Sequence, residues 1–84
     1  MKPESITYPS GKYWTLNGKL HREDGPAIEY SDGSSAWYLN NELHREDGPA
    51  VEWSDGDKAW FLNDERLSEE EFLSTIRKKK LEKL

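Results

Sequence analysis

Apolar positions along this chain alternate with polar ones in short runs. Tyr13-Trp14-Thr15-Leu16 places Trp14 and Leu16 two apart, so they share one face of a strand. The same spacing recurs in Trp37 with Leu39 and in Trp60 with Leu62. Thr15, Tyr38 and Phe61 take the opposite face, together with Tyr13. A second kind of run follows each of the first two. Ala27-Ile28-Glu29-Tyr30 and Ala50-Val51-Glu52-Trp53 also alternate, with Ile28 and Tyr30 on one face and Ala27 and Glu29 on the other. The pattern predicts antiparallel strand pairs. Asn17-Gly18, Asn40-Asn41 and Asn63-Asp64 supply one set of turns, because these residues tolerate positive φ. Ser31-Asp32-Gly33 and Ser54-Asp55-Gly56 supply the other. Pro26 and Pro49 are expected where strands begin, since proline cannot donate inside a ladder.

These runs repeat. Leu20-His21-Arg22-Glu23-Asp24-Gly25-Pro26-Ala27 recurs unchanged as Leu43-His44-Arg45-Glu46-Asp47-Gly48-Pro49-Ala50, 23 residues later. A fixed period in this range marks a repeat architecture. Ile6-Thr7-Tyr8 aligns with Ile28-Glu29-Tyr30 at an offset of 22, so the turn that follows is one residue shorter. The expected fold is mainly β, a single-layer antiparallel meander of repeated hairpins with about six strands. One face is expected to be a ladder of Trp, Leu, Ile or Val, and Tyr or Trp. The other mixes Glu, Thr, Ala and a few rings.

A sheet with an apolar face needs a cover. After Leu67 the period changes. Ser68 reads as a helix N-cap and Glu71 as its capping-box partner. Acids open the helix, and Arg77, Lys78, Lys79, Lys80 and Lys83 close it, which suits the helix dipole. Phe72, Leu73, Ile76 and Leu84 form its apolar stripe, and fraying is expected from about Lys79 on. One domain spans 1–84, with hairpin repeats over 6–67 and a capping helix over 68–84. Its placement, across the sheet or at its end, is open at this stage.

Composition changes this picture little. Hydrophobic residues make up 33% and charged residues 35%, yet 10 aromatic rings occur at regular spacing, unlike a disordered chain. With few other large residues present, the Trp14, Trp37 and Trp60 rings are expected to be the core. The absence of cysteine excludes disulfides and thiolate metal sites and fits a reducing, cytoplasmic setting. The first residues, Met1-Lys2-Pro3-Glu4, carry no signal-peptide pattern, and no run reaches the roughly 20 apolar residues of a membrane span.

Charge adds a direction. Residues 1–71 carry 16 acidic and 7 basic side chains, a net −9, whereas 72–84 carry 1 and 5, a net +4. The acidic body disfavours direct nucleic-acid binding and favours a protein partner with a basic surface.

The hairpin period, the aromatic strands, the Asn-rich turns and the Leu-His-Arg-Glu-Asp-Gly-Pro-Ala loops resemble the MORN repeat family over about residues 6–67. The text from Trp37 to Ala50 resembles more closely a divergent branch found in small proteins of bacteriophages and bacteria. The glycine that usually follows the first aromatic is missing, as are most loop glycines, so the lipid binding of some members is not carried over. The resemblance implies an elongated one-layer sheet used for protein–protein contact. With the acidic body, it implies a phage-encoded inhibitor, of the anti-CRISPR or other anti-defence type, that occludes a basic, nucleic-acid-binding surface of a host protein.

Two residue sets are candidate sites. His21, Arg22, Glu23 and Asp24, with His44, Arg45, Glu46 and Asp47, offer imidazoles and carboxylates of the kind that ligate metals or move protons. Equivalent residues two strands apart are separated by about 9.5 Å, too far for one shared ion unless both side chains reach inward. The residues favour a turn that locks itself, with arginine bridging a carboxylate and Asp-Gly-Pro shaping the bend. No catalysis, cofactor or metal is expected. The alternative is a sequestering protein, or a minor hydrolase, that binds a small ligand or metal at these loops. The better contact set is Tyr13, Tyr38 and Phe61 between Glu29 and Glu52, rings rimmed by acids. A homodimer through the Ile6-Thr7-Tyr8 edge is a further expectation.

Overall fold

The computed structural model describes residues 2–82. The chain is mainly β, an antiparallel strand meander with one C-terminal helix. In order, β1 is Glu4–Tyr8, β2 Gly11–Leu16, β3 Lys19–Leu20, β4 Ile28–Tyr30, β5 Ser35–Ala36 and β6 Tyr38–Leu39. They are followed by β7 Glu42–Leu43, β8 Val51–Glu52, β9 Lys58–Leu62, β10 Glu65–Leu67 and helix α1 Glu69–Glu82. The described residues span 41 × 34 × 17 Å, the proportions of a plate.

Among the described residues, ten short strands replace the roughly six expected. The cause is the octapeptide, which interrupts a strand without releasing it. The second half of β2 pairs with β3 (Thr15 with Leu20), and its first half pairs with β4 (Tyr13 with Ile28). The loop between β3 and β4 is pinned at both ends to one residue. The Trp14 carbonyl accepts the His21 N–H, and the Trp14 N–H donates to the Ala27 carbonyl at 2.8 Å. Trp37 does the same with His44 and Ala50. Each tryptophan backbone is thus the point where the sheet divides around a loop.

Turn chemistry follows the residues. Asn17-Gly18, Asn40-Asn41 and Asn63-Asp64 all have positive φ at both positions, the geometry of two-residue primed hairpin turns. At the other rim Gly33 and Gly56 reach φ +95°, and Asp32 and Asp55 accept the backbone N–H two residues on. The first such turn is shorter, with Tyr8 opposite Gly11. Gly11 has φ +153°, and a Cβ there would stand 2.5 Å from the Glu29 carbonyl oxygen, so glycine is required.

The register corrects the expected faces. Ile28 stands opposite Tyr13 and Ala36, and Val51 opposite Ala36 and Ala59. The Tyr face therefore carries Tyr13, Ile28, Tyr30, Ala36, Tyr38, Val51, Ala59 and Phe61. The Trp face carries Trp14, Trp37 and Trp60 with Glu29, Ser35, Glu52 and Lys58. The expectation had joined Ile28 and Tyr30 to the tryptophans. Alternation within a strand fixes partners two residues apart, but the phase between strands depends on loop geometry.

The core also differs from expectation. The three tryptophans are half-buried. The buried apolar residues are chiefly small: Ala27, Ala36, Ala50 and Ala59, with Ile28, Leu62 and Phe72. One layer has no second sheet to enclose a large ring, so the side chains of the sheet that vanish from solvent are alanines, Ile28 and Leu62, and Phe72 is buried where α1 packs against β9 and β10.

Helix α1 starts as the sequence predicts. The Glu71 N–H donates to Ser68 Oγ at 3.1 Å, and the Ser68 N–H donates to Glu71 Oε1 at 2.9 Å, a reciprocal capping box. The helix packs against β9 and β10. Its Lys79 reaches Glu46 at 3.7 Å, which sets it on the side of the octapeptide loops. It covers the last hairpin rather than the sheet. Phe72 is buried and Ile76 half-buried, while Leu73 remains 51% exposed. Helical geometry continues to Glu82, past the fraying expected from Lys79, whereas Lys83 and Leu84 lie outside the described residues.

Candidate functional site

The octapeptides stand on the Trp face as two copies of one self-locked loop. Arg22 lays its guanidinium over the Trp14 ring, 3.9 Å from the centroid, and Arg45 does the same over Trp37. Arg45 Nε donates to Asp47 at 2.8 Å, and its Nη1 donates to the Pro49 carbonyl at 3.1 Å and to Glu52 at 3.4 Å. Arg22 repeats the pattern with Asp24, the Pro26 carbonyl and Glu29. The Arg45 bond holds the Asp47 carboxyl below its ordinary value. Gly25 and Gly48 lie under these arginines. A Cβ there would stand 2.8 Å and 3.0 Å from the guanidinium carbon, so the loop text Asp-Gly-Pro makes room for the stack.

The histidines join one repeat to the next. His21 Nδ1 accepts the Asn40 N–H at 3.1 Å, and His44 Nδ1 accepts the Asn63 N–H at 3.0 Å. A backbone N–H can only donate, so each Nδ1 is bare and the proton sits on Nε2. Nε2 faces Glu23 at 3.4 Å and Glu46 at 3.2 Å. Three more bonds complete each junction. Arg22 N–H donates to the Tyr38 carbonyl, Asn41 N–H to the Leu20 carbonyl, and Leu20 N–H to Asn41 Oδ1 at 2.6 Å. Arg45, Phe61, Leu43 and Asp64 repeat the set.

The two loops face each other across a cleft of about 270 Å³, lined by Arg22, Glu23, Trp37, His44 and Arg45 among others. Within it Arg45 is bonded to Asp47 and His44 to Glu46, while Arg22 and Glu23 turn to Asp24 and His21 of their own loop. Among the described residues, no three His, Cys, Asp or Glu side chains are grouped to hold a metal ion, and no buried side-chain nitrogen or oxygen lacks a hydrogen-bond partner.

The second candidate set is divided by the sheet. Tyr13, Tyr38 and Phe61 share the Tyr face, but Glu29 and Glu52 project from the Trp face, where they meet Arg22 and Arg45. The Tyr face instead gains residues the sequence reading had placed elsewhere. Tyr8 is 52% exposed, Trp53 43% and Tyr30 38%. Tyr13 meets Tyr8 and Tyr30 edge-on, with centroids 5.5 and 6.5 Å away. A groove of about 340 Å³ runs between Tyr30, Tyr38, Val51 and Trp53 with Ala36 in its lining. Burial pushes the Tyr30 and Tyr38 phenols up from their ordinary value, and neighbouring Tyr38, Tyr13 and Asp32 add to the rise at Tyr30. Both stay neutral hydrogen-bonding groups through the physiological range.

Acids rim this face at the turns, with Asp32, Asp55 and Asp57 at one end of the strands and Asp64 at the other, whereas Glu42 and Glu65 stand opposite Leu39 and Leu62 on the Trp face. No described helix is long and apolar enough to cross a membrane. Comparison with family models, with curated proteins and with solved structures finds no match.

Proposed function

We propose that the chain is a non-catalytic protein–protein interaction module whose contact surface is the Tyr face. The observation that carries this is the set of rings Tyr8, Tyr30 and Trp53, left more than a third exposed on a face that α1 does not cover. Rigid tyrosine and tryptophan side chains with acids around them suit a partner that is apolar at its centre and basic at its edge. The loop residues His21 to Asp24 and His44 to Asp47 serve this function indirectly, by holding the repeats in register. The acidic body and the resemblance to small phage proteins extend the proposal to an inhibitor of the anti-defence type. It would act in a bacterial cytoplasm by covering a basic, nucleic-acid-binding host surface.

A pull-down from bacterial lysate, read by mass spectrometry at low and high salt, tests this. The expected result is one near-stoichiometric protein, held at low salt and lost at high salt. Tyr30→Ser with Trp53→Ser is expected to abolish capture while leaving the circular dichroism spectrum unchanged. Capture that survives this pair of changes, or no captured protein at either salt, overturns the proposal.

A further inference from the structure

The first strand ends the sheet and is bare. β1 pairs with β2 on one side, and all five of its residues are exposed. Among the described residues no strand lies on its other side. The direction of its backbone groups follows from the loop anchors. The Trp14 N–H and C=O turn toward Ala27 and His21, so those of Tyr13 and Thr15 turn toward β1. Tyr13 and Thr15 stand opposite Ile6 and Glu4, and Gly11 opposite Tyr8. Glu4, Ile6 and Tyr8 therefore direct their backbone groups at β2, and Ser5 and Thr7 turn theirs outward. Among the described residues none is hydrogen-bonded to these outward groups.

We propose that β1 is a self-association edge, through which two copies of this chain pair as antiparallel strands about a two-fold axis at Ile6. The occupant is a second copy because the strand is its own complement in one register. With Ile6 opposite its own copy, Ser5 of each chain stands opposite Thr7 of the other, and each such pair exchanges both backbone bonds. The prolines select this register. By alternation Pro3 and Pro9 fall in the outward phase of Ser5 and Thr7. Centring the pairing on Ser5 would set Thr7 against Pro3, and centring it on Thr7 would set Ser5 against Pro9. Neither proline has an N–H to donate, so only the Ile6 register satisfies every outward group of Ser5 and Thr7.

The side chains agree with it. Ile6 and Tyr8 share the Tyr face with Tyr13, and they are 47% and 52% exposed. Side chains stand closest in a pair that exchanges no backbone bonds, so Ile6 meets its copy at the axis. Tyr8 faces Glu4 of the other chain, which keeps the two Glu4 carboxylates at opposite ends of the contact. On the Trp face serine stands opposite threonine, a favourable cross-strand pair. The strand carries neither lysine nor proline within Glu4–Tyr8, the residues that commonly guard an edge. The axis stands normal to the sheet, so both Tyr faces point the same way and join across Ile6 into one surface. A contact one strand wide falls short of the roughly 1,200 Å² that a stable complex buries, so the pairing is weak and follows concentration.

The test is sedimentation equilibrium of the full chain from micromolar to millimolar concentration, with nitrogen-15 amide spectra across the same series. The mass is expected to rise from 9.8 kDa towards twice that value. The amides of Ser5 and Thr7 should shift more than those of Glu4, Ile6 and Tyr8, which already face β2. Thr7→Pro removes an outward N–H and leaves the ladder to β2 intact. It is expected to weaken association about tenfold, since each dimer loses two hydrogen bonds. Ile6→Lys sets like charges at the axis and should weaken it similarly. A mass fixed at one chain at millimolar concentration overturns the proposal. So does undiminished association of either variant that keeps the native amide pattern. A concentration-dependent shift centred on Tyr30 and Trp53 also overturns it, by assigning the self-contact to the Tyr face. Tyr30→Ser with Trp53→Ser is expected to leave the pairing unchanged, so the failure of this proposal and the failure of the Tyr-face proposal are read separately.

Discussion

His21 Nδ1 accepts a hydrogen bond from the backbone N–H of Asn40, 19 residues along the chain, at 3.1 Å. The bond ties the start of one loop to the turn of the next repeat, and it fixes which ring nitrogen carries the proton. Both histidines are expected as the Nε2–H tautomer, which long-range nitrogen–proton NMR correlations report directly. His21→Ala leaves the Asn40 N–H without an acceptor in a part-buried site. A stability loss of about 1–3 kcal/mol is expected by chemical denaturation. His44→Ala should cost less, because the Asn63 N–H it frees is exposed to water.

The second turn residue distinguishes repeats that have a predecessor from the one that does not. Asn41 and Asp64 accept the Leu20 and Leu43 N–H groups, whereas Gly18 has no side chain to do so. Asn41→Gly is expected to lose about 1 kcal/mol, the worth of one net hydrogen bond, less what the relief of positive φ returns. Asn41→Asp keeps the acceptor and should be nearly neutral. Equal stability of the Gly and Asp variants would show that the side-chain bond contributes nothing.

Arginine at positions 22 and 45 is a shape requirement as well as a charge. Arg45→Lys keeps the charge but loses the flat stack on Trp37 and the Nε bond to Asp47. The expected loss is about 1–2 kcal/mol. Gly48→Ala should mimic it in part, since its Cβ would lie 3.0 Å from the guanidinium carbon. Tryptophan fluorescence, which senses the cation over the ring, should shift in both variants. An unchanged spectrum in Arg45→Lys would remove the stack from the account.

Acid should weaken the fold in a defined window. Asp32 is held below its ordinary 3.8 by the Ser34 amide and hydroxyl, Asp47 by Arg45, and Glu71 below 4.5 by the Ser68 amide and hydroxyl. A lowered folded pKa means that the unfolded chain binds protons first as pH drops. The stabilisation is therefore complete above about pH 5 and is lost as pH falls through 4.5 and below 3.8. Thermal melts between pH 5 and 3 should show the fall, and Asp47→Asn should flatten it.

Much of this molecule was legible in its residues. The period, the primed turns, the capping box and the self-locking of the loops all follow from local chemistry at fixed spacing. The phase between strands was not. That Ile28 stands with Tyr13 depends on a loop of irregular geometry, whose length reveals nothing of its path. The inter-repeat bonds left one trace that was missed. Non-glycine residues at positions 41 and 64 accept positive φ where Gly18 is cheaper, which signals that their side chains have work to do. The interruption of strands at Trp14 and Trp37 left no trace in the apolar alternation, since a residue can hold two strand ends through its backbone alone.

The junction between repeats draws every one of its bonds from residues within a single period and its neighbour. Duplicating 23 residues therefore creates no contact of a new kind. Each copy would lengthen the sheet by two strand widths, about 9.5 Å, with the pattern of both faces continued in phase. Unequal recombination between the two identical stretches is thus a ruler: it changes the reach of the Tyr face in fixed steps while the grammar of the fold stays the same.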